Sequence, residues 1–368
     1  MLVASATRAR FLGDFVTAQA LFRSASAMLP NDPNIAYMFA VSTSQVPGNR
    51  YTESIAPLRN LTTRFPDFAP PYNFLGYSLF RSGDRVGSLE MVKQYVARMP
   101  NEPNPHDSYA EILAWNGRFD EALVEYRRAV AIDADYLVGY LGQAEVHALM
   151  GKPDLAKAAL TAALPHITAP NTRLVYLRSI AGAYFVNGDL ENAQAQLMVV
   201  AEEAKSANQP AAVTNAHIGM AIQDAMLGDG KAIAAHLSGI GTEATAVERA
   251  YCSALAYAVA KQNTQARSFL EELKRARAGN ETDATSRWAP IISALILVNE
   301  GKGQEAVTEI CTTDVSTPMT RAVYALAQQA AGNVATARSV RDEISADRAI
   351  ILDNGGMLTA RRLVKRIN

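Results

Sequence analysis

"WNGRFDEALVEYRRAVAIDADY", residues 115–136, places small and aromatic residues at fixed distances from a glycine. Ala122 follows Gly117 by five residues, Tyr126 by nine and Ala129 by twelve. A glycine just past a helix end adopts the left-handed conformation without a steric penalty, so Gly117 predicts a helix end and a turn. Ala122 then allows a second helix to pack closely against the first, and Tyr126 and Ala129 share one face of that helix. The stretch therefore predicts two antiparallel helices joined by a short turn.

The same spacing recurs along most of the chain. Gly83 and Gly151 each lie 34 residues from Gly117 and carry related residues at the same offsets. Weaker copies start at the remaining positions of the series, which are Gly13, Gly48, Gly188, Gly228, Gly301, Gly332 and Lys261, the last in place of a glycine. A period of this length is typical of a stacked array of helix pairs, in which each unit buries its apolar face against the next. We predict an all-α chain of about ten such units.

The repeat residues resemble those of the tetratricopeptide repeat (TPR) family. Residues 72–100, YNFLGYSLFRSGDRVGSLEMVKQYVARMP, match the family pattern almost throughout, with Ser88 and Tyr95 in place of the usual alanines. Residues 110–133, AEILAWNGRFDEALVEYRRAVAID, match it more closely, and the match is strong over residues 69–200. The resemblance implies a right-handed α-solenoid of stacked antiparallel helix pairs, about ten TPR-like units long. Because the pattern is a packing rule, it implies a fold and not a particular function.

The clarity of the repeats divides the chain into four parts. We assign residues 1–68 to N-terminal TPR-like units, 69–173 to the strongest units, 174–317 to degenerate units with longer helices, and 318–368 to the last unit and a C-terminal capping helix. The longer helices are expected where the period stretches, as it does to 40 residues between Gly188 and Gly228. In that interval we expect the second helix of the pair to be extended.

The C-terminal sequence GGMLTARRLVKRIN, residues 355–368, predicts an amphipathic helix. Its apolar face holds Met357, Ala360, Leu363, Val364 and Ile367, and its basic face holds Arg361, Arg362, Lys365 and Arg366. A stacked array needs a terminal helix with a polar outer face, and cations suit the carboxyl end of a helix. We interpret the segment as a solubilising cap, with a surface for an anionic partner or membrane as the alternative.

Composition excludes several classes of function. A net charge of −1 argues against nucleic acid as a direct partner, because polyanion binding requires a strongly basic surface. The sequence has no apolar run of about 18 residues, so no membrane span is predicted. Residues 1–15, MLVASATRARFLGDF, lack the charged start and long apolar stretch of an export signal. We therefore predict a cytoplasmic protein, or a periplasmic one if an upstream signal peptide is missing from this sequence.

The sequence offers little to catalysis. The five histidines form no metal-binding spacing, and the sequence lacks the glycine-rich phosphate loops and the serine motif of hydrolases. The two cysteines, Cys252 and Cys311, lie in alanine-rich helical segments, and we expect both to be buried thiols. We predict that the protein is not an enzyme, that it has no catalytic residues, and that it holds no metal or cofactor.

The TPR resemblance implies that the first helix of each pair lines a concave groove. On the three sharpest units this selects Asn73, Tyr77, Phe80, Arg81, Glu111, Trp115, Leu141 and Glu145 as peptide- or protein-binding residues. Asp107 also falls at one of these groove positions. Aromatic anchors bordered by charges are typical of binding hot spots, although the same side chains are also suited to packing between helices. Tyr77 and Glu111 stand where chaperone-binding members carry a carboxylate clamp, which argues against Hsp70/Hsp90 tails as partners.

Three functional hypotheses fit these observations. The first is a non-enzymatic scaffold or adaptor that binds a peptide or a partner helix in the groove. The second is a ligand-responsive sensor region of a larger bacterial regulator, whose output domain lies upstream. The third is an envelope or secretion assembly factor, which requires an upstream signal peptide. The expected partner in the first case is a protein or peptide.

Overall fold

The chain folds into consecutive α-helices. The computed structural model describes residues 1–46, 51–241, 244–277, 283–346 and 355–367, with side chains except at 276, 277, 283–287 and 355–357. All regular secondary structure within these residues is helical, which confirms the predicted all-α class. Within each unit, most helices pack on the next helix of the chain and are joined to it by a short turn, as in antiparallel helix hairpins. The described part of the chain is therefore an all-α succession of helix pairs.

The chain divides into two compact units, Met1–Val146 (unit 1) and His147–Asn368 (unit 2). The helices that begin in unit 1 are α1 Leu2–Phe11, α2 Phe15–Met28, α3 Pro33–Thr43, α4 Tyr51–Arg64, α5 Pro70–Arg81, α6 Arg85–Arg98, α7 Pro103–Trp115, α8 Phe119–Ile132 and α9 Leu137–Leu149. Those of unit 2 are α10 Pro153–Ala163, α11 Pro170–Asn187, α12 Leu190–Ser206, α13 Pro210–Leu227, α14 Gly230–Ser238, α15 Ala246–Val259, α16 Asn263–Arg277, α17 Asp283–Asn299, α18 Gly303–Ile310, α19 Pro318–Ala330, α20 Val334–Ala346 and α21 Gly355–Val364.

The predicted turn glycines adopt the left-handed conformation. Gly117 has a φ of 79° and Gly151 a φ of 73°, and the same holds at Gly13, Gly83, Gly188, Gly228, Gly301 and Gly332. Gly48 lies outside the described residues. Lys261, the residue that replaces a glycine in the repeat series, also has a left-handed φ of 61°. A side chain in this conformation costs about 1–2 kcal/mol, so the turn geometry is kept here against a local penalty.

Small residues allow the paired helices to approach closely. Ala122, at the small position of α8, is fully buried. A Cβ atom on Gly76 of α5 would lie 2.6 Å from Cγ1 of Val92 on α6. A Cβ atom on Gly142 of α9 would lie 2.2 Å from Cε1 of Tyr126 on α8. Large side chains of one helix therefore fill the space that glycines leave on the next, which is the packing that the sequence pattern encodes.

The helices of unit 2 differ in length from those of unit 1. Helices α11 and α13 have 18 residues each and α12 has 17, whereas α5 has 12 and α8 has 14. The extra length between Gly188 and Gly228 is therefore shared by α12 and α13, and not confined to the second helix of the pair. Helix α12 ends before Asn208, whose φ of 54° turns the chain into α13.

The C-terminal helix α21 packs inside unit 2, against α11, α19 and α20. Its apolar side chains Leu363 and Ile367 are buried. Arg366 donates from both terminal nitrogens to the Val259 carbonyl, at 3.3 Å each, where α15 ends. The guanidinium of Arg366 thus stabilises the carboxyl end of another helix. Arg366 therefore binds another helix of the protein, whereas a solubilising cap would direct all of its basic residues to solvent.

The structure also tests the predicted burial of the cysteines and the predicted absence of a membrane span. Cys252 is buried as expected, but Cys311 is exposed, because α18 ends at Ile310 and Cys311 occupies the turn that follows. Among the helices in the described part of the chain, none is both long enough and apolar enough to cross a membrane. The cellular compartment stays a prediction.

Candidate functional site

Three aromatic side chains of α5 and α7 form a continuous group, which we call the aromatic strip. The ring centroids of Tyr77 and Trp115 lie 5.6 Å apart at 70°, an edge-to-face arrangement. Phe80 and Trp115 lie 5.0 Å apart with tilted rings. All three side chains are partly exposed. The strip therefore presents apolar area to solvent on a rigid pair of helices, as an anchor site for a partner requires.

Carboxylates border the aromatic strip. Glu111 of α7 accepts a hydrogen bond from the Tyr77 hydroxyl. Burial raises the pKa of Glu111, although the bond from Tyr77 and the charge of Arg81 act in the opposite direction. Burial and the charge of Glu111 raise the pKa of Asp107 to about 7, against a weaker effect of a hydrogen bond with Tyr136. Two neighbouring acidic groups are thus held in surroundings that disfavour their charged forms.

Buried polar atoms near the strip are left without partners. Asp107 Oδ1 and Asn73 Oδ1 are both buried, and neither has a hydrogen-bond partner among the described residues. An acceptor in this position costs about 1–3 kcal/mol relative to one that is satisfied. A donor brought by another molecule would remove that cost.

Two arginines lie against aromatic rings of the strip and beside it. The Arg81 guanidinium carbon lies 4.3 Å from the ring centroid of Tyr51, and that of Arg85 lies 3.8 Å from the ring centroid of Phe80. Both are cation–π contacts, which hold the arginines against aromatic rings. The face consequently combines apolar rings, acidic groups and peripheral positive charge.

The eight residues selected from the sequence are distributed over three helices. Asn73, Tyr77, Phe80 and Arg81 lie on α5, Glu111 and Trp115 on α7, and Leu141 and Glu145 on α9. The structure brings together Tyr77, Phe80, Trp115 and Glu111. Leu141 and Glu145 are partly buried on α9. Burial, followed by the charges of Asp107, Glu111 and Glu145, raises the pKa of Tyr126, so the acids of α7 and α9 surround one side chain.

The groups that suggest chemistry elsewhere in unit 1 have structural roles. His106 is buried, with Nδ1 2.6 Å from Glu125 Oε2 and Nε2 2.9 Å from the Pro100 carbonyl oxygen. Both ring nitrogens are therefore occupied by protein atoms. No cluster of three or more histidine, cysteine or acidic side chains suited to a metal ion occurs among the residues that the structure describes.

No family model matches the chain, and no curated protein matches it either. Among solved structures, it resembles MamA from Desulfovibrio magneticus RS-1 with 12% identity and a TM-score of 0.39, over 45% of this chain and 92% of that one. YrrB, described as a TPR protein with an unusual peptide-binding site, has 16% identity and a TM-score of 0.35, over 45% and 84%. PilW, described as a widely conserved type IV pilus biogenesis factor, has 14% identity and a TM-score of 0.41, over 68% and 95%. The fold assignment rests on the helix pairs described above and not on these resemblances.

Proposed function

We propose that this protein is a non-enzymatic scaffold that binds a peptide or a partner helix across the aromatic strip. The partner carries apolar anchors and at least one lysine or arginine. The observation that supports this choice is the position of two acidic groups with raised pKa values: Glu111 is bonded to Tyr77 of the strip, and Asp107 lies one turn before Glu111 on the same helix. Apolar anchors fit the rings, and a cation fits the acids.

A basic side chain of the partner relieves an existing penalty. Asp107 is held in a buried environment next to a second acid, and its Oδ1 atom has no donor within the described protein. A lysine or arginine supplies both a donor and a positive charge, and such charge-assisted hydrogen bonds contribute about 1.5–3 kcal/mol. An acidic partner, or a free terminal carboxylate, meets like charge instead. The same electrostatics argue against Hsp70/Hsp90 tails as ligands.

The test begins with selection of ten-residue peptides from a display library on the purified full chain. We expect the selected sequences to combine aromatic or aliphatic residues with lysine or arginine. Fluorescence anisotropy then gives Kd for resynthesised peptides on the variant Phe80→Ala/Trp115→Ala. If these residues are hot spots, each truncation costs about 2 kcal/mol in binding. Val124→Ala, on an exposed residue of α8, is the matched control and should leave Kd unchanged.

The charge requirement has its own test. In each selected peptide the basic residue is changed to glutamine, and both peptides are measured on the wild type and on Asp107→Asn. We expect the Asp107 variant to bind the basic peptide more weakly and the glutamine peptide equally well, which isolates the pairwise term. The proposal fails if the aromatic double variant keeps its affinity. It also fails if that variant loses its helical circular dichroism, because the rings then belong to the core.

A further inference from the structure

Unit 2 contains a cavity of about 630 Å³. Helices α11, α13, α15, α17 and α19, the first helices of successive pairs, contribute to its lining together with α21. The residues follow the repeat register. Gly182 lies six residues before Gly188, as Tyr77 lies six before Gly83 and Ile222 six before Gly228. The repeat position that carries Tyr77 in unit 1 therefore lines a partly open cavity in unit 2.

The walls of the cavity are mainly apolar. Tyr251 and Trp288 stack with ring centroids 4.1 Å apart and an angle of 21°. Leu255, Ile291 and Met319, which are buried, also line the space. Cavities of 300–1,000 Å³ lined in this way are typical of sites for small organic molecules. The lining thus specifies a ligand that is largely apolar and contains a flat or chain-like part.

One lining residue carries a buried polar atom without a partner. Gln223 is 4% exposed, and its Oε1 atom has no hydrogen-bond partner among the described residues. Its neighbour Asp224 lies 3.0 Å from the amide nitrogen of Gln194 and 3.4 Å from His236 Nε2, so that carboxylate belongs to a separate polar cluster. Thr320, another polar lining residue, is bonded to Thr317 at the start of α19. A ligand donor directed at Gln223 would satisfy a buried amide oxygen.

We propose that unit 2 binds a small, predominantly apolar molecule that carries an N–H or O–H donor. The donor bonds to Gln223 Oε1, and the apolar part packs against the Tyr251–Trp288 pair. This site is separate from the aromatic strip and does not depend on the peptide-binding proposal. It gives the chain a ligand-binding function of the kind expected for a sensor region.

The test uses N-phenyl-1-naphthylamine, a fluorescent apolar probe with a single N–H donor, and 1-phenoxynaphthalene, which has the same shape without the donor. We expect the full chain to bind the amine saturably at one site. Gln223→Leu should weaken amine binding by about 5-fold, the effect of one neutral hydrogen bond, and leave binding of the ether unchanged. Gly182→Phe places an aromatic ring at the cavity wall and should weaken both probes by about 10-fold or more.

A variant with a single tryptophan fixes the location of the probe. The chain has two tryptophans, Trp115 and Trp288. In the variant Trp115→Phe the remaining Trp288 fluorescence should be quenched by the amine, with the wild-type affinity. The proposal is overturned if wild-type binding does not saturate, if Gln223→Leu weakens both probes equally, or if Trp115→Phe abolishes binding. If Gly182→Phe does not fold, the Gln223 comparison and the Trp288 quenching decide the matter.

Discussion

Replacement of Asp107 by asparagine should make the protein more stable at pH 8 and no more stable at pH 4. The carboxyl has a pKa of about 7 in the folded chain, raised from 3.8 by burial and by the charge of Glu111. Between these two values the folded state binds more protons than the unfolded state, so the free energy of unfolding falls as pH rises. Asp107→Asn keeps the size of the side chain and removes the charge.

The size of the effect follows from the pKa difference. A shift from 3.8 to about 7 corresponds to at most about 4 kcal/mol at pH 8. Asp107 is partly exposed and shares its site with Glu111, so solvent and relaxation reduce this. We expect a gain of about 1–2 kcal/mol at pH 8 for Asp107→Asn, which vanishes as pH falls to about 4.

Urea unfolding at pH 4.5 and pH 8 measures this difference. In a Trp288→Phe background, Trp115 is the single tryptophan and reports on unit 1. The matched control is Asp120→Asn, which makes the same substitution at an exposed position of α8. The reasoning is refuted if Asp107→Asn is less stable than the wild type at pH 8, or if its stability changes with pH as steeply as that of the wild type.

Three further substitutions test the packing of the repeats by thermal or urea unfolding. Lys261→Gly should stabilise the chain by about 1 kcal/mol, because glycine removes the penalty of a left-handed side chain; no gain would contradict the assigned turn geometry. Ala122→Leu should destabilise it by about 1–3 kcal/mol, because the added side chain separates two closely packed helices; a neutral result would mean that the repeat register is wrong. Arg366→Met should cost about 1–2 kcal/mol through loss of its hydrogen bonds to Val259, whereas the exposed Lys365→Met should be nearly neutral; equal effects would deny Arg366 its role at the end of α15.

Local sequence predicted the features that depend on local geometry. The left-handed turn at Gly117 and the buried Ala122 both follow from residues within one repeat. The grouping of Tyr77 with Trp115 follows in the same way, since both lie on the first helices of adjacent repeats, which stack side by side. Each of these features can be predicted from the packing within a repeat or of a repeat on its neighbour.

Features that depend on distant parts of the chain were not predictable from the repeat pattern. The docking of Arg366 on Val259 joins residues 107 positions apart, and nothing in the amphipathic pattern of α21 specifies which helix receives it. The sequence pattern assigned Asp107 to a groove position. It did not predict the raised pKa of Asp107, because this depends on burial and on the charge of Glu111. Exposure of Cys311 depends on the exact end of α18. The spacing of apolar residues does not predict the partner of Arg366, the pKa of Asp107 or the exposure of Cys311.

The cavity of unit 2 could be predicted from the sequence only in part. Part of its lining could have been identified from the sequence, because Gly182, Ile222 and Leu255 occupy the same repeat position as Tyr77 and Glu111. In unit 1 this position includes Tyr77 and Glu111, on which the peptide-binding proposal rests. In the part of unit 2 that lines the cavity it holds a glycine and two aliphatic residues, Gly182, Ile222 and Leu255. One packing rule therefore builds both units, and the two binding proposals differ in the residues that each unit carries at this position.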